Sequence, residues 1–235
     1  MRYLENSKAS NFIFGEAIYE YSKNKDTKLE LIKKDKTIFT IDLDYYFRDY
    51  KDLSNIEKKA LSLAKGEILD VGCATGYYIP KLKKFGIVDA IDISEHLIRI
   101  AVENGIKECH VADIFKYKPS GDYDTITLLE NNLGLGGTLL KTKKLFKILA
   151  KLLKPDGRII AIIRHTDYKK KYYSSEYLPL WNGSLGKKFR WFYFNIKFLR
   201  KFCNKFKLKL EILDEDVDEG RKMYLVQLTH TNTKQ

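Results

Sequence analysis

The sequence has few cysteines and no long apolar run. Three of its 235 residues are cysteines, Cys73, Cys109 and Cys203, and no two of them have the close spacing that builds a disulfide framework or a zinc site. The longest unbroken aliphatic stretch, residues 159–163, is far shorter than the roughly 20 residues that cross a bilayer. The first residues also lack the apolar core of a secretory signal. We therefore expect a cytoplasmic protein that does not associate with membranes.

Histidine and proline are also scarce. The four histidines, His96, His110, His165 and His230, stand far apart, and none belongs to an H-E-x-x-H or Cys-paired pattern. We therefore expect no metal. With four prolines and no Pro/Gly/Ser-rich linker, nothing in the chain separates two domains of ordinary size. The composition favours one domain with an appendage.

Positive charge is concentrated in one region. The formal net charge is +12, yet residues 141–210 contain 20 Lys and Arg against 3 Asp and Glu. Such an asymmetry can form a surface for nucleic acid or another polyanion. A solvated lysine-rich face is the alternative interpretation, and the lysine-rich composition of the whole chain favours it.

The start of the chain has a pattern of its own. The runs LELI and TIFTI flank the polar KKDK and predict a hairpin. The aromatic segment DYYFRDY follows, and Ser54 with Glu57 three residues later predicts a capping box that opens a short helix. We therefore divide the chain at Gly66 into an N-terminal extension, residues 1–65, and a second part, residues 66–235.

Beyond this boundary, strand-like runs alternate with helix-length segments. The alternation predicts a doubly wound, mostly parallel α/β sheet with helices on both faces. In the tail, two strands follow each other with an acidic loop between them, which predicts an antiparallel final strand. The seven candidate strands are EILDV, VDAIDI, ECHVA, YDTITLL, RIIAIIR, LKLEIL and MYLVQLT.

The segment ILDVGCATGYY, residues 68–78, carries the main functional signal. A strand that turns sharply into a helix needs glycine where φ is positive or where a ligand approaches the backbone, and Gly72 and Gly76 suit these roles. Asp92 ends the next strand twenty residues after Gly72. A carboxylate in that place can accept hydrogen bonds from both hydroxyls of a ribose. The glycines and the acid together predict a nucleoside-containing ligand.

Two common nucleotide-binding patterns fit this loop poorly. A G-x-G-x-x-G dinucleotide fingerprint would need glycine at the positions of Ala74 and Tyr77. A Walker loop would need Gly-Lys-Ser or Gly-Lys-Thr, which is absent, and Tyr77 with Tyr78 would crowd a pyrophosphate. A ligand without phosphates fits better.

The motifs LDVGCATG, AIDIS, VADIF, TITLLENNLGLGG and LLKPDGRII follow one another in an order that resembles the class I S-adenosylmethionine-dependent methyltransferases. The resemblance implies the Rossmann-like, seven-stranded fold of that family, a cofactor-binding domain over residues 66–235, and S-adenosylmethionine as the cofactor. One departure is Ala74, where many members have glycine, although a small residue still permits close approach. The residues implied in cofactor binding are Asp70, Gly72, Cys73, Gly76, Asp92, Ile93, Asp113, Ile114 and Glu130.

The resemblance also implies a place on the cofactor for several of these residues. Asp70 and the two glycines would frame the methionine part, and Asp92 would hold the ribose diol. Asp113 would face the adenine amino group, with Ile93 and Ile114 as the apolar walls of the base pocket. For Asp113, capping of a turn is the alternative role.

Three polar residues after the fourth strand are implied on the acceptor side. Glu130, Asn131 and Asn132 would lie near the sulfonium and the incoming acceptor. We expect Glu130 to touch both the cofactor and the reacting atoms, and Asn131 with Asn132 to bind the acceptor.

The aromatic segment is expected to form a lid. Tyr45, Tyr46 and Phe47 could shield a sulfonium, because aromatic faces favour a nearby cation. Tyr46 and Phe47 would then also contact the acceptor. Ordinary packing of these rings against the sheet edge is the alternative.

A general base is needed only where the acceptor is protonated at neutral pH, because in-line methyl transfer is helped mainly by alignment and exclusion of water. His165, directly after the fifth strand, is the best placed candidate by sequence position. Glu130, Tyr46 and Asp167 follow. A structural role is the alternative for His165.

We expect a small-molecule acceptor, because a lid and an aromatic segment between the fifth and sixth strands suit an enclosed pocket. An RNA or other nucleic-acid acceptor, bound by the Lys-rich residues 141–210 with Trp181, Trp191 and Tyr193 as stacking platforms, is the alternative. The Asn/Asp-Pro-Pro-Tyr/Phe signature of amino-methylating nucleic-acid enzymes is missing, however. A non-catalytic cofactor-binding protein is a third hypothesis, and the sequence does not predict the oligomeric state.

Overall fold

The structure, a computed structural model, describes residues 12–119, 121–166, 170–218 and 220–231. The helices in this part of the chain are α1 (Phe12–Lys23), α2 (Asn55–Ser62), α3 (Ile79–Leu82), α4 (Glu95–Glu103), α5 (Leu139–Leu152) and α6 (Ile196–Asn204). The strands are β1 (Leu29–Lys33), β2 (Ile38–Thr40), β3 (Gly66–Val71), β4 (Gly86–Asp92), β5 (Cys109–Val111), β6 (Tyr123–Leu128), β7 (Leu153–Arg164), β8 (Tyr172–Trp181), β9 (Ser184–Leu185), β10 (Phe189–Phe194), β11 (Leu208–Asp218) and β12 (Arg221–His230).

Seven strands form the central sheet, in the order β5-β4-β3-β6-β7-β12-β11. The pairs β3/β4, β3/β6, β4/β5 and β6/β7 are parallel. Strand β12 runs antiparallel to both of its neighbours, β7 and β11. The predicted doubly wound, mostly parallel sheet of seven strands with an antiparallel final strand is confirmed.

Helices bury both faces of this sheet, and for that reason its central strands are almost continuously apolar. On one face, Phe146 of α5 packs edge-on against Phe202 of α6, with ring centroids 4.9 Å apart. On the other face, Ile56 and Leu61 of α2 pack with Leu82 of α3. Complete burial of each such side chain contributes about 1.5–3 kcal/mol, so these two layers hold the strand ends rigidly in place.

The capping box predicted for α2 is confirmed. The Ser54 hydroxyl accepts the Glu57 amide at 3.4 Å, and the Glu57 carboxylate accepts the Ser54 amide at 2.8 Å. Each bond satisfies an N–H group that the first helical turn would otherwise leave without a partner. The bonds fix where the chain enters the central sheet.

The predicted hairpin is also present, but it belongs to a second sheet that the sequence pattern did not indicate. Strands β1 and β2 pair antiparallel, and β1 also pairs with β8, which follows it by about 140 residues. The order of this sheet is β10-β8-β1-β2, with β9 on β8. The N-terminal extension and the Tyr-rich segment therefore form one antiparallel layer.

Pro179 lies within β8, although proline inside a run normally argues against a central strand. Strand β8 pairs with β10 as far as Tyr177 and with β9 from Leu180 onward. Pro179 lies between these two ladders, where a missing N–H breaks no bond. Its carbonyl still accepts the Gly186 amide at 2.8 Å.

The acidic segment of the tail is not a loop, contrary to the prediction. Its residues continue the antiparallel ladder, from Asp214 opposite Leu225 to Asp218 opposite Arg221. Backbone pairing with β12 thus outweighs the low strand propensity of the acidic residues. The two tail strands extend beyond the neighbouring β7, and Asp218 comes close to the end of that strand.

The second sheet packs at Gly134 against the 3₁₀ turn Asn132–Gly136, which follows β6. A Cβ atom at this position would lie 2.7 Å from the Trp191 indole ring and still closer to the Phe192 carbonyl oxygen. We predict that Gly134→Ala lowers the free energy of unfolding by about 1–3 kcal/mol, as overpacking does elsewhere. Urea denaturation measures the loss.

Gly121→Ala is the matched control, because a Cβ there meets no atom within 4 Å. It should change the free energy of unfolding by less than about 0.5 kcal/mol. If the two variants unfold at the same urea concentration, the close contact at Gly134 does not exist.

Candidate functional site

The turn after β3 is shaped by three residues in the left-handed region. Gly72 and Gly76 both have φ of +79°, and Ala74 has φ of +50°. Glycine adopts this conformation freely, whereas for alanine it costs about 1–2 kcal/mol. The amides of Gly72 and Cys73 donate to the Ile91 carbonyl at 2.8 and 3.1 Å, which ties the turn to β4. The Gly76 amide in turn donates to the Cys73 carbonyl at 2.9 Å, so the strain at Ala74 is maintained by bonds on both sides of it.

Asp92 lies at the end of β4, directly beside this turn. One carboxylate oxygen accepts the Ala74 amide at 3.1 Å, and the other accepts the Ser94 amide at 2.8 Å. Burial raises its pKa. Each oxygen keeps a second lone pair, so the group can still accept two hydroxyls. The next residue, Ile93, is 53% exposed and places an apolar surface beside the acid.

Asp70 is almost completely buried near the end of β3. The Thr127 hydroxyl donates to its Oδ1 at 2.6 Å, whereas its Oδ2 is buried and has no partner among the described residues. Burial, together with the negative charge of Asp92, raises its pKa to about 7. A buried carboxylate oxygen without a donor is costly unless a ligand supplies one.

The remaining predicted cofactor residues lie at the same edge of the sheet, with different side-chain surroundings. Asp113 follows β5, and its Oδ1 accepts the Phe115 amide at 2.9 Å. This bond caps a turn, which was the alternative role for Asp113. Ile114 is buried in the core beneath it. The Cys73 side chain packs in the core with Cys109, so only its backbone can face a ligand.

The corner after β6 is strained. Glu130 has φ of +52° and Asn131 has φ of +64°, and two successive non-glycine residues in this region cost about 1–3 kcal/mol each. The Asn131 amide donates to the Ile162 carbonyl at 2.9 Å, and its Oδ1 accepts the Arg164 amide at 3.1 Å. These bonds with β7 hold the corner. The Asn131 Nδ2 is buried without a partner among the described residues.

The Glu130 carboxylate is surrounded by donors. Arg164 Nη2 lies 3.3 Å from one oxygen, while Arg48 Nη2 lies 3.9 Å and the Tyr78 hydroxyl 3.4 Å from the other. Burial nevertheless raises its pKa, against the hydrogen bond from Tyr45 and the charge of Arg164. The carboxyl can therefore take up and release a proton closer to neutrality than an exposed glutamate.

Asn132 connects the two corners. Its amide donates to the carbonyls of Val71 and Gly72, at 3.0 and 3.1 Å. Both predicted sides of the site, the glycine turn after β3 and the acidic corner after β6, are thus held together by one side chain. This contact occupies the amide group that we expected to bind the acceptor.

The structure places Tyr46 at the glycine turn and Phe47 elsewhere. Both lie in a 3₁₀ turn, Asp44–Phe47, and the Tyr46 carbonyl accepts a hydrogen bond from the Thr75 hydroxyl. Burial raises the pKa of Tyr46, and the nearby Tyr77 and Glu130 raise it further, so its hydroxyl stays protonated at neutral pH. Phe47 packs against Tyr21 of α1, with ring centroids 5.8 Å apart.

His165 faces α6. Its Nδ1 accepts the Ile196 amide at 3.2 Å, and its ring meets the Tyr224 ring edge-on at 5.5 Å. Because the Nδ1 lone pair is engaged, a neutral ring carries its proton on Nε2. Asp167, another candidate base, lies outside the described residues.

Known proteins share these features. Residues 68–157 match a family model described as a methyltransferase domain. An S-adenosylmethionine-dependent methyltransferase from Bacteroides fragilis, solved in complex with S-adenosyl-L-homocysteine, is 25% identical. The similarity covers 94% of this chain and 96% of that one, with a TM-score of 0.82.

The chain thus contains a match to a methyltransferase domain and has the fold of the class I S-adenosylmethionine-dependent methyltransferases. The resemblance found in the motif series is confirmed to this extent. A methyltransferase from Clostridium acetobutylicum has the same fold at 21% identity, with 77% and 93% of the two chains covered and a TM-score of 0.54. So does the sugar N-methyltransferase KedS8 from Streptoalloteichus, at 13% identity, 81% and 93% coverage and a TM-score of 0.57. No curated protein matches in sequence.

Three charged residues of this methyltransferase site were not predicted. Arg48 lies within the aromatic segment, for which the prediction concerned only the aromatic rings. Glu57 was assigned to a helix cap alone. Arg164 ends a strand whose apolar run gave no sign of a charged contact. Two features of the sequence could have indicated these roles. Arg48 stands between aromatic residues, and Arg164 stands at the carboxyl end of a strand.

Within the described ranges, no three His, Cys, Asp or Glu side chains come together in a group that could hold a metal ion. The three cysteines are free and buried. Over the same residues, no helix has the length and apolar composition that membrane crossing requires.

The raised pKa of Asp70 makes stability depend on pH. Between the ordinary value of 3.8 and about 7, the folded protein binds more protons than the unfolded chain, so the free energy of unfolding falls as pH rises through this window. Asp70→Asn removes the ionisation. We predict that this variant is more stable than the parent at pH 8 by about 1–4 kcal/mol, and that the difference shrinks at pH 4.

Urea unfolding at the two pH values measures this difference, and Asp156→Asn, at an exposed position, is the control. A variant Asp70→Asn that is less stable than the parent at pH 8 contradicts the prediction.

Proposed function

We propose that the protein transfers a methyl group from S-adenosylmethionine to a small-molecule acceptor. The observation that carries the proposal is the Asp92 carboxylate, which two backbone amides fix at the end of β4 with lone pairs left for a diol. The adjoining turn at Gly72 and the exposed Ile93 supply a close backbone approach and an apolar surface. Together these features suit an adenosyl group.

The residues present fit the cofactor. Asp70 has a buried oxygen that no donor among the described residues reaches, which suits the amino group of the methionine part. The acids Asp70, Asp92 and Glu130 also suit a ligand that carries positive charge. S-Adenosylmethionine supplies an electrophilic methyl group on a sulfonium, with its leaving group already in place.

The residues of the chain then have three tasks. The glycine turn and Asp92 orient the cofactor, which gives the alignment that accelerates a displacement most. Tyr46, held at the turn through its carbonyl, excludes water and offers an aromatic face to the sulfonium. Glu130 takes up the acceptor's proton where one must leave, because burial brings its pKa closer to neutrality.

Glu130 is a better base than the other candidates. The engaged Nδ1 of His165 limits that ring as a proton acceptor in its neutral form. The raised pKa of Tyr46 keeps its hydroxyl protonated. The strained backbone at Glu130 and Asn131 points to the same corner, because strain of this kind concentrates at functional sites.

The second sheet supports a small acceptor. Trp191 of β10 donates from its indole nitrogen to the Asn131 carbonyl at 3.1 Å, and the Tyr193 and Tyr177 hydroxyls meet at 2.9 Å. Trp191 thus lies against the acidic corner. A covered site of this kind suits a metabolite better than a duplex, and the sugar N-methyltransferase KedS8 is one relative in fold that acts on a small molecule.

The RNA alternative receives no such support. The lysines of α5 lie on the exposed face of the helix, opposite its buried stripe of Leu145, Phe146 and Leu149. A non-catalytic role would leave the strained acidic corner unexplained. We place the protein in the cytoplasm, in line with its three free cysteines.

Cofactor binding tests the proposal directly. S-Adenosylhomocysteine at about 100 times its dissociation constant should stabilise the protein by about 2.7 kcal/mol, which raises Tm by roughly 5–11 °C for a chain of this length. NAD should give no shift, and Asp92→Ala should abolish the shift with S-adenosylhomocysteine.

Asp156→Asn serves as the control and should retain the full shift, because this exposed acid lies away from the carboxyl edge. Stabilisation by NAD alone would overturn the assignment.

Glu130→Gln tests the catalytic role. With a panel of amine and hydroxyl acceptors and cofactor labelled in the methyl group, we expect kcat to fall by about 10²- to 10⁴-fold. The dissociation constant of S-adenosylhomocysteine should stay within about threefold, since the substitution keeps the shape of the side chain.

The dependence of kcat on pH separates a role as general base from a structural role. The rise of kcat with pH that the parent shows at low pH should be absent in Glu130→Gln. Retention of that rise would show that another group accepts the proton.

A further inference from the structure

The lid makes three separate contacts with the cofactor site. The Tyr46 carbonyl accepts from Thr75 in the glycine turn, and Tyr45 hydrogen-bonds with Glu130 at the acidic corner. The third contact runs through Arg48, at the end of the lid. Its Nε donates to the Tyr45 carbonyl at 3.2 Å, which fixes the guanidinium against its own segment.

The Arg48 guanidinium is enclosed by aromatic rings. It lies 3.5 Å from the centroid of the Tyr45 ring and 5.2 Å from that of Tyr77. Its Nη2 is also 3.4 Å from the Tyr77 hydroxyl. Since Tyr77 directly follows Gly76, the arginine joins the lid to the far end of the glycine turn.

Glu57 binds the Arg48 guanidinium through its buried carboxylate. Its side chain is 3% exposed, and its two oxygens accept Arg48 Nη2 at 2.8 Å and Nη1 at 3.2 Å. The same carboxylate accepts the amide and hydroxyl of Ser54, and the hydroxyl of Tyr78. One buried carboxylate thus bonds with Ser54 in the cap of α2, with Tyr78 after the glycine turn, and with Arg48 at the end of the lid.

The chain offers a contrasting pair on its surface. Arg190 also makes two bonds with one carboxylate, that of Glu176, but its side chain is 54% exposed. Exposed pairs of this kind contribute little to stability. The Arg48–Glu57 pair is desolvated, and a buried pair whose partner is removed leaves an uncompensated charge. Closure of the lid is therefore tied to the presence of both groups.

We propose that Arg48 and Glu57 are positioning residues that latch the lid to the glycine turn, so that Tyr45 and Tyr46 cover the cofactor only while this ion pair is intact. The inference rests on the proposed function. Neither residue touches the reacting atoms, and both act through the tyrosines. Loss of the latch leaves the lid open over the bound cofactor as well, so the cofactor lacks its contacts with Tyr45 and Tyr46 and binds more weakly.

Four variants separate the latch from the helix cap. Arg48→Met removes the guanidinium and keeps an unbranched chain. Glu57→Gln weakens the latch but keeps the cap, because glutamine also serves at this position of a capping box. Ser54→Ala removes the hydroxyl bonds of the cap and keeps the ion pair. Arg190→Met removes a guanidinium from the exposed pair as a control.

The experiment measures hydrogen exchange of the full chain with and without S-adenosylhomocysteine, together with its dissociation constant. In the parent, binding should protect the amides of residues 43–48 and of residues 72–78. In Arg48→Met and Glu57→Gln, the dissociation constant should rise about tenfold. Residues 72–78 should still be protected at saturation, whereas residues 43–48 should not. Ser54→Ala and Arg190→Met should behave like the parent.

Two results would overturn the latch. In one, Arg48→Met and Glu57→Gln retain the parent's affinity and lid protection. In the other, Ser54→Ala loses lid protection to the same extent, which would assign the effect to the helix. Failure of the proposed function looks different, because S-adenosylhomocysteine would then protect neither segment in the parent.

Discussion

The central sheet reverses its strand order at β3, and the site depends on this reversal. The chain leaves β3 for β4 and β5 on one side, and returns to β6 on the other. The connections after β3 and β6 therefore diverge, and a crevice opens between them at the carboxyl edge of the sheet. The Asn132 amide, bonded to the carbonyls of Val71 and Gly72, holds the walls of this crevice at a fixed separation.

Buried negative charge is the second property of the site. Asp70, Asp92 and Glu130 all have raised pKa values, in each case chiefly through burial. A protein that keeps several acids out of water loses stability by doing so. A ligand with positive charge recovers part of that loss, whereas the two phosphates of a dinucleotide would increase it. The electrostatics of the crevice thus agree with the absence of a dinucleotide fingerprint.

Coverage of the crevice comes from segments that are far apart in the chain. Strand β1 of the N-terminal extension pairs with β8, and β10 extends the same sheet toward the acidic corner. The lid follows β2 directly, so the second sheet fixes where the lid begins, while Arg48 and Glu57 fix where it ends. Backbone pairing and one buried ion pair together place these segments beside the crevice.

The sequence by itself determined the central sheet, the cap of α2, and the glycine turn with Asp92 beside it. These features depend on local patterns: apolar strand periodicity, glycine where φ is positive, and an acid at a strand end. The tertiary structure alone decided the second sheet, the contacts of His165 with α6 and of Phe47 with α1, and the grouping of Arg48, Glu57 and Arg164 around Glu130. Strand pairing over about 140 residues and burial of paired charges leave no periodic pattern in the chain, because both depend on which distant segments meet.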